Sequence, residues 1–128
     1  MQTGPHASEL ERSFTADGSG QFHEIDPRTG REPAGSGLLA RAAAVRQAQE
    51  AALRKAVAAL VTRGTARPVH LAGGQLDAFV EREMVPRIFD LIERRVVIDE
   101  SRDDKTYFVT MSVVFDMPAV NEALAELG

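Results

Sequence analysis

The most regular pattern in the chain covers residues 13–23, where apolar or glycine positions alternate with polar ones. The alternating apolar set is Phe14, Ala16, Gly18, Gly20 and Phe22. Side chains in a strand point alternately to its two faces, so this alternation predicts a strand with one buried face. Glycines inside a strand mark a place where another backbone comes close. The pattern therefore predicts a strand that is notched at Gly18 and Gly20.

An alanine-rich segment, residues 38–62, follows with helical periodicity. Its apolar positions recur at steps of three and four: Val45, Ala48, Ala52, Ala56 and Leu60. This spacing predicts a helix with one apolar face. Ser36 is placed to cap its first turn, and Gly64 to end it. Because alanine side chains are short, we expect this helix to pack closely on the glycine notch.

The rest of the chain predicts a second helix, a hairpin and a final helix. Residues 76–94 have a helical apolar face that Pro86 interrupts, so a kink or a restart of the helix is expected there. Residues 94–100 include a run of β-branched side chains, and residues 101–105 are predicted to form a turn. In residues 106–116 the side chains alternate regularly between two faces, which makes this segment the strongest predicted strand. Pro118 then suits the first turn of a short amphipathic helix.

Together these elements predict an α+β fold in the order β-α-α-β-β-α. Two helices can cover one face of a three-stranded antiparallel sheet, which gives a two-layer sandwich. We expect the first strand to pair with residues 106–116, so that this strand is central. Residues 1–12 are interpreted as a flexible lead-in and residues 13–128 as a single domain.

Composition narrows the classes of function. The chain has 128 residues and no Cys, which excludes disulfides, thiolate metal sites and a cysteine nucleophile. No apolar run approaches the ~20 residues that span a bilayer. Aromatic residues make up only 5%, and no basic stripe is interleaved with them, so a nucleic-acid partner is disfavoured. Residues 38–67 carry six basic side chains and one acidic one. This basic segment indicates an anionic partner or, more simply, an acidic neighbour within the domain.

No group of residues predicts a metal, cofactor or catalytic site. The three histidines, His6, His23 and His70, are too dispersed for a metal pair. Two acidic pairs, Asp99-Glu100 and Asp103-Asp104, flank the hairpin but lack the pattern of a calcium loop. Arg94-Arg95 either bind an anionic group or end the second helix with cations that favour its dipole. We therefore expect a protein without enzymatic activity.

Two hypotheses remain for how the protein acts. The outer face of the third strand and the last helix both carry apolar side chains that we expect to be buried. A protein partner or a second copy of the chain would bury them. The residues of this predicted interaction surface are Phe108, Val114, Val120, Leu124 and Leu127. The alternative is a small-ligand-binding module with its pocket between the first strand and the helices, beneath Gly18 and Gly20.

Three stretches carry a resemblance to a known family. They are Thr15 to Gly20, Ala44 to Val57, and Ile98 to Val113. In these stretches the chain resembles the N-terminal domain of the bacterial flagellar assembly protein T, and also small outer-membrane lipoprotein families. The resemblance implies a non-enzymatic assembly or adaptor domain of the cell envelope that acts through protein contacts, for example in a ring around a flagellar base.

The same resemblance implies a location in the periplasm or at the outer membrane. The sequence itself begins with neither an export signal nor a lipidation cysteine. Without the resemblance, the expectation is therefore a cytoplasmic protein.

Overall fold

Three strands and four α-helices form in a computed structural model that describes residues 11–22, 28, 30, 36–62 and 73–126. The strands are β1 (Ser13–Gln21), β2 (Ile92–Arg102) and β3 (Thr106–Phe115). The α-helices are α1 (Ser36–Thr62), α2 (Gly73–Phe79), α3 (Ile88–Leu91) and α4 (Met117–Ala125). Between α2 and α3 lie a π-helical turn, Val80–Met84, and a 3₁₀ turn, Val85–Arg87.

The strands form one antiparallel sheet in the order β1-β3-β2. The predicted α+β fold and the central position of β3 are confirmed. On β3, Val114 is buried on one side, and the alternate residues Val109, Met111, Val113 and Phe115 are buried on the other side, which faces the helices. We call this side the covered face and the opposite side the open face. Because α1 packs over β1 and β3, the helix layer is displaced away from β2.

The glycine notch of β1 lies directly against α1, as predicted. A Cβ atom added at Gly18 would be 2.0 Å from the carbonyl oxygen of Ala44 and 2.5 Å from the backbone nitrogen of Ala48. One added at Gly20 would be 2.0 Å from the carbonyl oxygen of Ala40. Since no side chain fits at these distances, the two backbones touch only because both β1 positions are glycine.

The second predicted helix differs most from its expectation. A helix over residues 76–94 with a kink or a restart at Pro86 was expected, and the chain does restart: it changes from α to π to 3₁₀ geometry around Pro86 and returns to α at Ile88. Proline has no N–H to donate, so the regular hydrogen bonding breaks there. The helix ends at Leu91, and β2 already begins at Ile92. The prediction that Arg94 and Arg95 end this helix is therefore wrong, because both lie in β2.

The last helix, α4, is part of the core. Asp116 caps it by accepting a hydrogen bond from the Ala119 N–H at 3.2 Å, and Pro118 lies in the first turn. Val120 and Leu124 are buried against the rest of the core. None of the helices in the described ranges is long and apolar enough to cross a membrane. His6, His23, His70 and Leu127 lie outside the described residues.

Candidate functional site

The predicted interaction surface does not form as a whole. Val114, Val120 and Leu124 are all at most 5% exposed, because the protein covers them with its own residues. Of the described members, only Phe108 is exposed, at 42%, on the open face. The apolar positions of α4 are the same whether the helix packs on the protein's own core, as it does here, or on a partner. Other exposed side chains must therefore carry any contact surface.

The predicted ligand pocket beneath the glycine notch is also absent. The backbone of α1 fills that space at Ala40, Ala44 and Ala48, with no room for even a methyl group at Gly18. Close packing of this kind leaves no volume for a ligand. The alternative function therefore loses the location that was predicted for it.

The outer edge of β1 is closed by side chains from α1. The Lys55 ammonium donates to the carbonyl oxygen of Thr15 at 2.5 Å, and the Ser19 N–H donates to Oε1 of Gln47 at 2.7 Å. Unpaired backbone groups at a sheet edge are what another strand would bind. Since α1 satisfies two of them, this edge is a poor docking surface.

The outer edge of β2 is open. Within the described ranges, no strand pairs with the side of β2 that faces away from β3. All eleven of its residues are exposed except Ile92 and Val97, which are partly buried. Two large aliphatic side chains, Val96 and Ile98, are 49% and 55% exposed. The unpaired N–H and C=O groups of such an exposed edge can bind another strand.

The pairing of β2 with β3 shifts register at Glu93 and again at Ile98, and the second shift, a β-bulge, divides β2 into two halves. Val97 pairs with Met111 and Asp99 pairs with Thr110, so Ile98 is the extra residue. The bulge shifts the alternation by one position. Arg94 and Asp99, an odd number of residues apart, therefore both pair with open-face residues of β3, which are Val114 and Thr110. In a regular strand their side chains would lie on opposite faces.

The same shift places Arg95 and Glu100 together on the covered face. Their β3 partners are Val113 and Val109, both buried beneath the helices. Consistent with this, Arg95 donates to the side-chain oxygen of Gln49 on α1. Each face of β2 therefore carries one Arg and one acidic residue: Arg94 and Asp99 on the open face, and Arg95 and Glu100 on the covered face.

Glu100 joins β2 to α1 through a small polar network. Nε of Arg41 donates to Oε1 of Glu100 at 2.7 Å, and the Tyr107 hydroxyl donates to the same oxygen. These hydrogen bonds, first from Arg41 and then from Tyr107, lower the pKa of Glu100. The bond to Glu100 raises the pKa of the Tyr107 hydroxyl. Together with the pair Arg54–Glu81 at 3.2 Å, this contact shows that the basic face of α1 has acidic neighbours within the domain, as one of the two interpretations predicted.

An open groove of about 410 Å³ lies between α1, the 3₁₀ turn and β2. Apolar side chains including Val45, Val85 and Phe89 line it, together with three arginines: Arg41, Arg46 and Arg95. The Arg95 guanidinium lies 5.0 Å from the centre of the Phe89 ring. An apolar lining with guanidinium groups at its rim suits a ligand with an apolar body and an anionic group.

The described residues contain no cluster of three or more His, Asp or Glu side chains that would hold a metal ion. The acidic pair Asp103-Asp104 has a structural task, since Oδ1 of Asp103 accepts from the N–H groups of Lys105 and Thr106, both at 2.8 Å. These two bonds, in that order, lower the pKa of Asp103 and close the β2–β3 turn.

Comparisons with protein-family models, with curated proteins and with solved structures found no match to this chain.

Proposed function

We propose that this protein is a non-enzymatic assembly or adaptor domain that acts through protein contacts, and that the outer edge of β2 is its contact surface. The observation that carries this proposal is the difference between the two edges of the sheet. One edge is capped by Lys55 and Gln47, whereas the outer edge of β2, beside which no strand lies among the described residues, exposes Val96 and Ile98.

Such an edge binds a partner in a defined way. A partner strand would satisfy the outward N–H and C=O groups of β2 and would bury Val96 and Ile98. Burial of an aliphatic side chain stabilises a contact by about 1.5–3 kcal/mol at most. Phe108, which pairs with Ser101 at the end of β2, extends the apolar area on the open face.

The cellular setting is proposed on the resemblance alone. The domain would work in the cell envelope, at the periplasmic side or at the outer membrane, and its assembly would be of the flagellar type. Gly18, Gly20, Ala44 and Ala48, which belong to the resembling stretches, form the contact between β1 and α1. The resemblance and the cellular setting that it implies both remain predictions.

Site-specific photo-crosslinking in cells tests the proposal. A photoreactive residue at Ile98 is expected to give covalent protein adducts, because a partner strand would lie against it. The same residue at Val61, an exposed position of α1 that is 36% accessible, is the control and is expected to give few. Adducts at Ile98 should decrease when Val96→Lys places a charge beside it. An absence of adducts at Ile98, or equal adducts at both positions, would contradict the proposal.

A second function is favoured by the arginine-lined groove. We propose that it binds a small carboxylate with an apolar body, which moves the ligand-binding hypothesis from the glycine notch to the space between α1 and β2. Arg46 makes no ion pair with any described residue and is exposed at the groove. Titration with an aromatic carboxylate, followed by NMR, is expected to shift the signals of Val45 and Phe89, and Arg46→Ala should weaken this binding. Equal binding by Arg46→Ala and by the control Arg82→Ala would contradict it.

A further inference from the structure

The charges of β2 are arranged in two opposite halves. Arg94 and Arg95 precede three aliphatic residues, Val96 to Ile98, and Asp99-Glu100 follow them. If two copies of this strand lie antiparallel, the basic half of each lies beside the acidic half of the other. If they lie parallel, like charges lie side by side, which destabilises a sheet.

The bulge determines which charged residues of β2 share a face of the sheet. Residues that face each other across an antiparallel pair lie on the same face of the sheet. Arg94 and Asp99 share the open face, and Arg95 and Glu100 share the covered face. Both opposite-charge pairs therefore match by face as well as by sign when the two copies meet at the bulge. In a regular strand the same sequence would instead place Arg94 opposite Glu100 and Arg95 opposite Asp99, so the bulge changes which opposite charges meet across the pair.

We propose that the partner at the edge of β2 is a second copy of this chain, paired antiparallel about the Val97–Ile98 bulge. This inference rests on the proposed function and names its partner. Arg95 of one copy lies opposite Glu100 of the second copy. Arg94 lies opposite Ser101 of the second copy and diagonal to its Asp99. The two three-stranded sheets become one continuous sheet, with β1 at both of its outer edges.

The same charges explain why the edge selects its partner. Charged residues on an edge strand discourage pairing with unrelated apolar strands. A reversed copy of β2 places opposite charges beside these residues, and Val97 and Ile98 of each copy then meet at the centre. The edge consequently binds a second copy of β2 and resists pairing with unrelated strands.

Charge reversal with complementation tests this pairing. Sedimentation of the 128-residue chain from micromolar to sub-millimolar concentration should show a dimer of twice 13.9 kDa. Arg94→Glu and Asp99→Arg should each weaken dimerisation by about tenfold, because each pair occurs twice across the two-fold axis. An equimolar mixture of the two variants should restore dimerisation, since opposite charges then meet again. Arg82→Glu and Asp77→Arg carry the same charge changes on exposed helical positions and serve as matched controls.

Each outcome bears on the proposal. Restoration in the mixture supports it, and circular dichroism melting of every variant shows that the domain still folds. A chain that stays monomeric throughout, a dimer that neither β2 variant weakens, or a mixture that fails to recover would overturn it. The photo-crosslinking experiment separates the two proposals. Adducts at Ile98 that contain only other proteins would retain the contact function and reject the second copy.

Discussion

The two edges of the sheet have opposite characters although they belong to the same small domain. At β1, the helix α1 packs against Gly18 and Gly20 and sends Gln47 and Lys55 over the strand to cap its backbone. At β2, the strand is longer, contains a bulge at Ile98, and exposes nearly all of its side chains. The position of α1 therefore decides which edge is closed and which is available.

This difference separates stability from interaction within the sheet. The β1 side contributes backbone contact and buried alanines, so changes there should affect folding. The β2 side contributes exposed charge and aliphatic surface, so changes there should affect association more than folding. The following predictions test this division in order of expected effect.

The largest effect is expected at the glycine notch. Gly18→Ala would place a Cβ atom 2.0 Å from the carbonyl oxygen of Ala44, so β1 and α1 must separate. We expect a loss of about 3 kcal/mol in the free energy of unfolding, measured by urea denaturation. Gly37→Ala is the control, because its nearest atom is Phe22 Cε1 at 3.9 Å and alanine favours a helix by about 0.5–1 kcal/mol. Equal stabilities of the two variants would refute close contact at the notch.

A smaller effect is expected when the cap of the β1 edge is removed. Gln47→Ala deletes the acceptor of the Ser19 N–H, whose bond is 2.7 Å long. We expect a loss of about 0.5–1.5 kcal/mol, together with faster hydrogen exchange of the Ser19 amide. Gln47→Glu keeps an acceptor oxygen and should behave like the wild type. If the Ser19 amide exchanges at the wild-type rate in Gln47→Ala, the cap has no effect.

A pH dependence is expected from the link between β2 and α1. The pKa of Glu100 is lowered in the folded chain by hydrogen bonds from Arg41 and Tyr107. Such a carboxylate stabilises the fold above its unfolded pKa, and this contribution is lost as the pH falls through the lower, folded pKa. We therefore expect the free energy of unfolding to decrease as the pH drops below 4.5, the ordinary value for Glu. Denaturation of Glu100→Gln over the same pH range should show a shallower decrease, and an unchanged slope would argue against the network.

The smallest effect on stability is expected on the open edge itself. Ile98→Ala, at a side chain that is 55% exposed, should change the free energy of unfolding by less than about 0.5 kcal/mol. Ile88→Ala makes the same change at a buried position and should cost about 2–5 kcal/mol. The comparison is made by thermal and urea denaturation of dilute samples. A large loss in the free energy of unfolding of Ile98→Ala would mean that this side chain stabilises the fold, which would contradict a role in binding alone.

Local patterns predicted most of the architecture. The alternation over residues 13–23 and 106–116 located β1 and β3, and the small-residue face of α1 predicted where the glycines would be covered. Steric fit alone connects Gly18 to Ala44, so this contact could be anticipated from residue sizes. The candidate site could be predicted only in fragments: Arg94-Arg95 and Asp99-Glu100 were noticed separately, as a helix end and as a hairpin flank.

The remainder needed the tertiary structure. Residues 92–95 have no pattern that marks the change from helix to strand, and the bulge at Ile98 depends on how β2 pairs with β3. Likewise, Val120 and Leu124 have the same apolar pattern whether they face a partner or the protein's own core.

By itself, the sequence determined which segments are extended, which are helical and where two backbones must touch, because side-chain size and periodicity act over neighbouring residues. Only the tertiary structure decided that α1 packs mainly over β1 and β3, and that the bulge brings Arg94 and Asp99 to one face. Those features depend on contacts between residues far apart in the chain, which no local pattern encodes.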